Sequence, residues 1–280
     1  MTGDDPRLER STSGRTRLAE AFGGEPSLVS YIVAGDPEPA ATERYVRALV
    51  EGGADVVELG LPFSEPIADG PTIQAGIRRA LDAGMTTDRY LSLVDRLDVD
   101  APLVAMTYYN LLYRYGDGDV RAFVADAAEA GLAGVIVPDL PVEESGPLRE
   151  ACREHGLALV FIVAPTTTPE RLERIVAAGS GFLYVQARMG TTGARTDVSE
   201  RTFESLERLP ETDLPVAVGF GVSTDEQARA IVAGGADGVV AGSVFVDTIA
   251  DQSDPTAELR STARELKAGA RAAVSEPERT

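Results

Sequence analysis

One cysteine, one histidine and one lysine are spread through 280 residues, and each scarcity closes off a class of chemistry. Cys152 has no partner for an intrachain disulfide and cannot build a cysteine metal cluster, so it reads as a packed core residue. His155 alone excludes a Ser-His-Asp triad and any histidine-based metal site. It stands before Gly156 at a helix end and reads as a helix cap. No apolar run reaches the roughly 18 residues of a membrane span. The opening stretch MTGDDPRLERSTSGRTR lacks the apolar centre of a signal peptide, so a cytoplasmic location is expected.

Positive charge is also thin. Lys267 is the only lysine among 26 basic residues, which face 45 acidic ones for a net charge of −19. Such a surface repels nucleic acid and anionic membranes at ordinary salt. Acid excess together with lysine depletion points to a salt-adapted (halophilic) protein, because concentrated salt screens the self-repulsion. A merely acidic cytosolic surface is the plainer alternative.

What is present is a repeated pattern. A polar, alanine-rich helical stretch ends at glycine, and a short β-branched run follows. The glycines are Gly53, Gly131, Gly156, Gly179 and Gly235. A glycine past the last helical turn reads as a left-handed cap, and the apolar run after it as a strand buried on both faces. Eight strands are expected: Leu28–Val33, Asp55–Leu59, Leu103–Tyr108, Gly134–Val137, Ala158–Val163, Phe182–Val185, Val216–Gly219 and Gly238–Ala241. Helices follow near 38–52, 71–82, 118–130, 143–154, 169–178, 200–208, 224–234 and 243–250. An extra helix is expected near 15–22 and a closing one near 256–271, with frayed ends near 1–12 and 274–280. Eight strand–helix units in a chain of this length indicate one α/β domain over 1–280, a (β/α)8 TIM barrel. A doubly wound open sheet fits less well, since no G-x-G-x-x-G follows the first strand.

In a barrel the active site lies at the C-terminal strand ends. Strands seven and eight end in GFGVS and AGS, bare glycine amides before helix N-termini, with Ser243 opening the last barrel helix. That is a phosphate seat in its functional reading and a pair of tight turns in its plain one. Glu58 stands in the apolar run VVELG, where desolvation would raise its pKa and suit it to acid–base work. The plain alternative is a structural salt bridge to an arginine. Asp69, between Pro66 and Pro71, can reach the same mouth and stay ionised, so the two carboxylates can divide the roles. The loop from Ala187 to Val198 is long, with Gly190 and Gly193 as possible hinges and Thr191 and Thr192 as bonding groups. It reads as a lid, or as a plain surface loop. Tyr31 and Tyr184 line an aromatic pocket or simply pack. Asp139, in PDLP, reads as catalytic or as a turn.

Taken in order, YIVAGDP, ELGLPFSEPIADGPTIQ, VPDLP, ARMGTTGA, GFGVS and AGS resemble the α subunit of tryptophan synthase, over about residues 15 to 270. The run from Glu58 to Gln74 is long and specific. The resemblance implies a lyase of tryptophan biosynthesis that splits indole-3-glycerol phosphate into indole and glyceraldehyde 3-phosphate. It implies Glu58 as the acid–base group and Asp69 as the aspartate that holds the indole N–H. It implies Thr192 as the lid threonine that meets that aspartate. Gly193, Gly221, Gly242 and Ser243 become phosphate ligands, and Tyr31, Met106, Ile136 and Tyr184 line the indole pocket. No metal or cofactor is implied for this chain. Pyridoxal phosphate belongs to the partner β subunit of an α2β2 heterotetramer, docked near Pro62–Glu65 and Asn110. Glu65 departs from the family's usual aspartate, and its extra methylene alters that contact. Two alternatives stay open: a stand-alone indole-releasing lyase, and a non-catalytic allosteric partner of a β subunit.

Overall fold

The β-branched runs become strands in the computed structural model, which describes residues 13–187, 200–219 and 221–275. They are β1 (Ser27–Val33), β2 (Val56–Gly60), β3 (Leu103–Met106), β4 (Gly134–Ile136), β5 (Ala158–Val163), β6 (Leu183–Gln186), β7 (Val216–Gly219) and β8 (Gly238–Ala241). Each pairs in parallel with its neighbour in sequence, and β8 closes against β1. Twelve helices surround them among the described residues. These are α1 (Gly14–Ala21), α2 (Pro39–Glu51), α3 (Pro71–Asp82), α4 (Thr87–Arg96), α5 (Tyr109–Tyr115) and α6 (Val120–Glu129). The others are α7 (Gly146–Glu154), α8 (Pro169–Ala178), α9 (Glu200–Glu207), α10 (Asp225–Ala233), α11 (Ser243–Asp251) and α12 (Thr256–Ser275). No described helix is long and apolar enough to cross a membrane.

Strands buried on both faces need apolar residues at every position, and alternation then decides which side chain meets what. Val29, Val56, Val104, Ile136, Val160, Phe182 and Val240 pack together inside the barrel. The flanking positions, such as Leu28, Val57 and Leu59, join the layer under the helices. The register sets Tyr31 beside Glu58 and Glu58 beside Val104, so Glu58 lies on the inward side, one step above Val56. Leu18 of α1, fully buried, plugs the N-terminal end, with Phe22 against Phe182. Lys267 of α12 donates to the Pro26 carbonyl and pairs with Asp55 at 2.7 Å, tying the last helix to the starts of β1 and β2.

Several expectations shift. The segment between β2 and β3 holds a second helix, α4, capped by the Thr86 hydroxyl accepting from the Arg89 N–H. Its buried Tyr90, Leu91, Leu93 and Val94 face the barrel, and β-branched and aromatic residues had masked the helical spacing. Strand three stops at Met106 rather than Tyr108. Tyr109 begins α5, its N–H donating to the Asp139 carboxylate at 3.0 Å. The cap expected at Gly179 is absent: its backbone is extended, and the left-handed conformation falls at Gly181, with φ of 86°. The chain stays extended because Ser180 exchanges two bonds with Leu159, through backbone and hydroxyl. Gly53, Gly131, Gly156 and Gly235 do take positive φ. Of the ends expected to fray, only Val274 and Ser275 lie within the described residues.

Candidate active site

Glu58 sits in the wall of the barrel with 1% of its surface exposed. Neither carboxylate oxygen has a hydrogen-bond partner among the described residues, so no structural salt bridge to a described arginine holds it. A carboxylate in that setting keeps its proton. Burial, with the neighbouring charge of Asp69 adding to it, pushes its pKa up to about 8.

Asp69 is treated differently by the same mouth. It is buried, and burial raises its pKa, but the Tyr108 hydroxyl donates to its Oδ2 at 2.5 Å and works in the opposite direction. Tyr108 also accepts from the Ala68 N–H at 2.9 Å and packs its ring, tilted by 33°, against Phe63 with centroids 5.1 Å apart. The Gln74 amide donates to the Asp69 carbonyl at 2.8 Å and to the Pro66 carbonyl at 3.3 Å. The loop that carries Asp69 is therefore stitched at three points before α3 begins at Pro71. Tyr108 and Gln74 are the members that residue-by-residue reasoning passed over. The available signal was Tyr108 at the end of β3, two residues beyond Met106, where inward-facing positions of that strand continue.

Tyr31 and Tyr184 are both buried, and the charges of Glu58 and Asp69 raise both phenols on top of their desolvation. Glycines make room for the rings. A Cβ at Gly60 would lie 2.5 Å from the Tyr31 oxygen, and one at Gly219 would lie 2.6 Å from the Tyr184 ring. Met106 pairs with Ile136 across β3 and β4; Met106 and Ile162 are half-buried, whereas Ile136 is sealed as part of the floor.

After β8, the neighbour of β1, Gly242 precedes α11 and Ser243 opens it. No described side chain caps this N-terminus, and its first turn carries no acid. The first amides of any helix lack intrahelical acceptors and carry its positive dipole end, so this one is open to an anion. The N-terminus of α10 is closed by contrast. Thr224 and Gln227 cap it reciprocally, with Asp225 and Glu226 in its first turn. Gly221 is exposed with φ of 95°, and no described residue crowds it. Gly242 lies against the Tyr31 side chain, which joins the anion end to the aromatic pocket. Thr192 and Gly193, and the expected lid beyond Ala187, lie outside the described residues. His155 is exposed and caps the end of α7, while Cys152 is buried. Asp139 serves the turn that starts α5. No group of three His, Cys, Asp or Glu among the described residues is arranged to hold a metal ion.

Two unlike carboxylates at the mouth of a closed parallel barrel define the class: a (β/α)8-barrel enzyme of acid–base chemistry. Comparison with known proteins narrows it. The family profile described as tryptophan synthase alpha chain matches residues 19–274. A tryptophan synthase alpha chain of Halobacterium salinarum is 62% identical over 272 residues, covering 94% of this chain and 99% of that one. One from Haloferax volcanii is 56% identical over 275 residues, with the same coverage. Among solved structures, tryptophan synthase from Mycobacterium tuberculosis superposes with a TM-score of 0.81 at 36% identity, over 91% of this chain and 99% of that one. The α2β2 complex from Pyrococcus furiosus gives 0.81 at 40% identity, over 86% and 98%. The chain belongs to the tryptophan synthase alpha chain family. Its acidic, lysine-poor surface agrees with its halophilic relatives.

Proposed function

We propose that this chain cleaves indole-3-glycerol phosphate to indole and glyceraldehyde 3-phosphate as the α subunit of a tryptophan synthase, with Glu58 and Asp69 carrying the chemistry. The observation behind this is the unpaired, buried carboxyl of Glu58 beside an anchored Asp69.

The cleavage is a retro-aldol reaction. Protonated Glu58, with a pKa near 8, is the acid that delivers a proton to indole C3 at neutral pH. The positive charge that develops on the ring is met by Asp69, which accepts the indole N–H. Burial, with the charge of Asp69 adding to it, keeps Glu58 protonated at neutral pH, while the Tyr108 hydrogen bond favours the ionised form of Asp69. Glu58, now a carboxylate, removes the proton from the glycerol hydroxyl next to the scissile bond. That oxygen becomes the aldehyde carbonyl, the carbon–carbon bond breaks, and its electrons neutralise the ring. One proton enters and one leaves through the same group. Both proton transfers are ones that this chain's side chains can perform, the bond cleavage follows from them, and no cofactor is invoked.

Tyr31, Met106, Ile136 and Tyr184 form the apolar pocket, and the first amides of α11, at Gly242 and Ser243, with Gly221 after the neighbouring strand β7, seat the phosphate. The docking partner is a β subunit. Ile67, 80% exposed, and Tyr113, 48% exposed and stacked on Tyr109, offer apolar surface beside Asn110 and the Pro62–Glu65 stretch. Cytoplasmic placement follows from this biosynthetic role. The test is indole release from indole-3-glycerol phosphate, at low and multimolar salt, with and without the cognate β subunit. Stimulation by the β subunit supports the proposal. Equal release without it indicates a stand-alone lyase, and no release under any condition refutes the assignment of substrate.

A further inference from the structure

Asp36 is completely buried at the end of β1 and carries no part of the chemistry above. Arg79 of α3 grips its carboxylate with two bonds, Nε to Oδ1 at 2.6 Å and Nη2 to Oδ2 at 2.7 Å. This parallel fork fixes distance and orientation together. Three elements meet at the pair. Asp36 lies in the turn that follows β1, the strand that carries Tyr31. Arg79 lies two turns along the helix that starts just after Asp69. The third element is α11: a Cβ at Gly76 of α3 would lie 2.9 Å from Asp36 Oδ2 and 2.9 Å from Val246 of α11. Val246 is in the first turn of α11, its N–H bonded to the Gly242 carbonyl. The charge of Asp247, also on α11, acts on Arg79.

The geometry points to Asp36 and Arg79 as a positioning pair that couples the phosphate seat at the start of α11 to the loop that holds Asp69. The inference rests on the proposed function for the phosphate seat and deepens it. An anion that settles on α11 presses on a joint whose other arm is α3. From there the Gln74 stitches reach Asp69. Binding energy from the non-reacting phosphate end is thereby used to hold the reacting end in place.

The test uses the full chain in multimolar salt, with Asp36→Asn as the variant, since it keeps the shape and removes the charge. Arg79→Lys, which keeps the charge and removes the fork, is the second. Hydrogen–deuterium exchange is followed with and without inorganic phosphate as the probe. In the unaltered protein phosphate should slow exchange at residues 242–246 and also at 66–76. In both variants the first protection should remain and the second should be lost. In turnover, the preference for indole-3-glycerol phosphate over its dephosphorylated analogue, in kcat/KM, should fall by about 10-fold, while the rate on the analogue holds. A purely structural role would lower both substrates together. Protection at 66–76 that survives in the variants, or that is missing from the unaltered protein while 242–246 is protected, overturns the coupling. Absence of protection at 242–246 in every form would instead overturn the phosphate seat itself, and the coupling with it.

Discussion

Replacing Glu58 by glutamine should make the protein more stable and inactive at once, with a pH dependence that identifies the cause. The folded protein holds the Glu58 proton up to about pH 8, against 4.5 for an ordinary glutamate. Between those values the folded state binds a proton that the unfolded chain has released. The stability this gives is complete below pH 4.5 and is lost as pH rises towards 8. At about 1.4 kcal/mol per tenfold change in proton affinity, the shift corresponds to a ceiling of about 5 kcal/mol. Water entering through the open mouth reduces it, so a loss of about 2–4 kcal/mol by pH 9 is expected. Glutamine has the same shape and does not titrate. Glu58→Gln should therefore match the unaltered protein near pH 5 and exceed it at pH 9 by roughly 5–10 °C in melting temperature. Thermal unfolding of both proteins in multimolar salt, from pH 5 to 9, measures this. Indole release by the variant should be abolished while phosphate still binds. A stability difference that stays constant across the pH range would refute the argument, because it would mean that Glu58 is not desolvated in the folded state.

Three other changes probe the arrangement. Tyr108→Phe removes the 2.5 Å hydrogen bond to Asp69. A bond to a charged group is worth about 1.5–3 kcal/mol, so kcat/KM should fall by about 10- to 100-fold, and an unchanged value would detach Tyr108 from the site. Gly219→Ala brings a methyl to 2.6 Å from the Tyr184 ring. Titration calorimetry with an indole-bearing ligand should show weaker binding, and denaturant unfolding a loss of about 1–3 kcal/mol. Lys267→Met removes the cation from Asp55, which is 26% exposed in its side chain and keeps only the Leu28 N–H among its described partners. Denaturant unfolding should show a loss of about 2–3 kcal/mol, below the range for a fully buried pair, with kcat unchanged.

The barrel was legible because its signal is repetitive: a glycine stop and a β-branched run recur often enough to be counted. What escaped was local. The helix α4 carries Tyr90, Leu91, Leu93 and Val94 in a short span, and such a run does not declare a period by itself. The strand was read on to Tyr108, and nothing local declares a helix from Tyr109, because the acceptor that starts it is Asp139, thirty residues away. Gly179 lost its expected conformation to a bond between Ser180 and a neighbouring strand. In the candidate site, Glu58 was legible as an acid out of place in an apolar run. Tyr108, Gln74 and the Asp36–Arg79 pair were not. Each is an ordinary polar residue whose meaning is its partner, and two of those three links depend on where loops come together in space.

The two carboxylates owe their difference to what surrounds them. A buried, unpaired acid costs stability only when it ionises, and Glu58 escapes that cost at neutral pH by staying protonated. The state that is cheapest for the fold is thus the state that the proposed mechanism needs to protonate a carbon. Asp69 can remain the charged member because Tyr108 gives its carboxylate a donor and the loop is stitched by Gln74. Had Glu58 found an arginine, its proton would leave well below neutrality, and the mouth would hold two bases and no acid. The chain holds 26 basic residues, yet the described arginines that pair are spent elsewhere, on Asp36 and on surface acids such as Glu143 and Glu150. On the proposed mechanism, keeping the described arginines away from Glu58 is therefore as much a part of the chemistry as placing the carboxylates there.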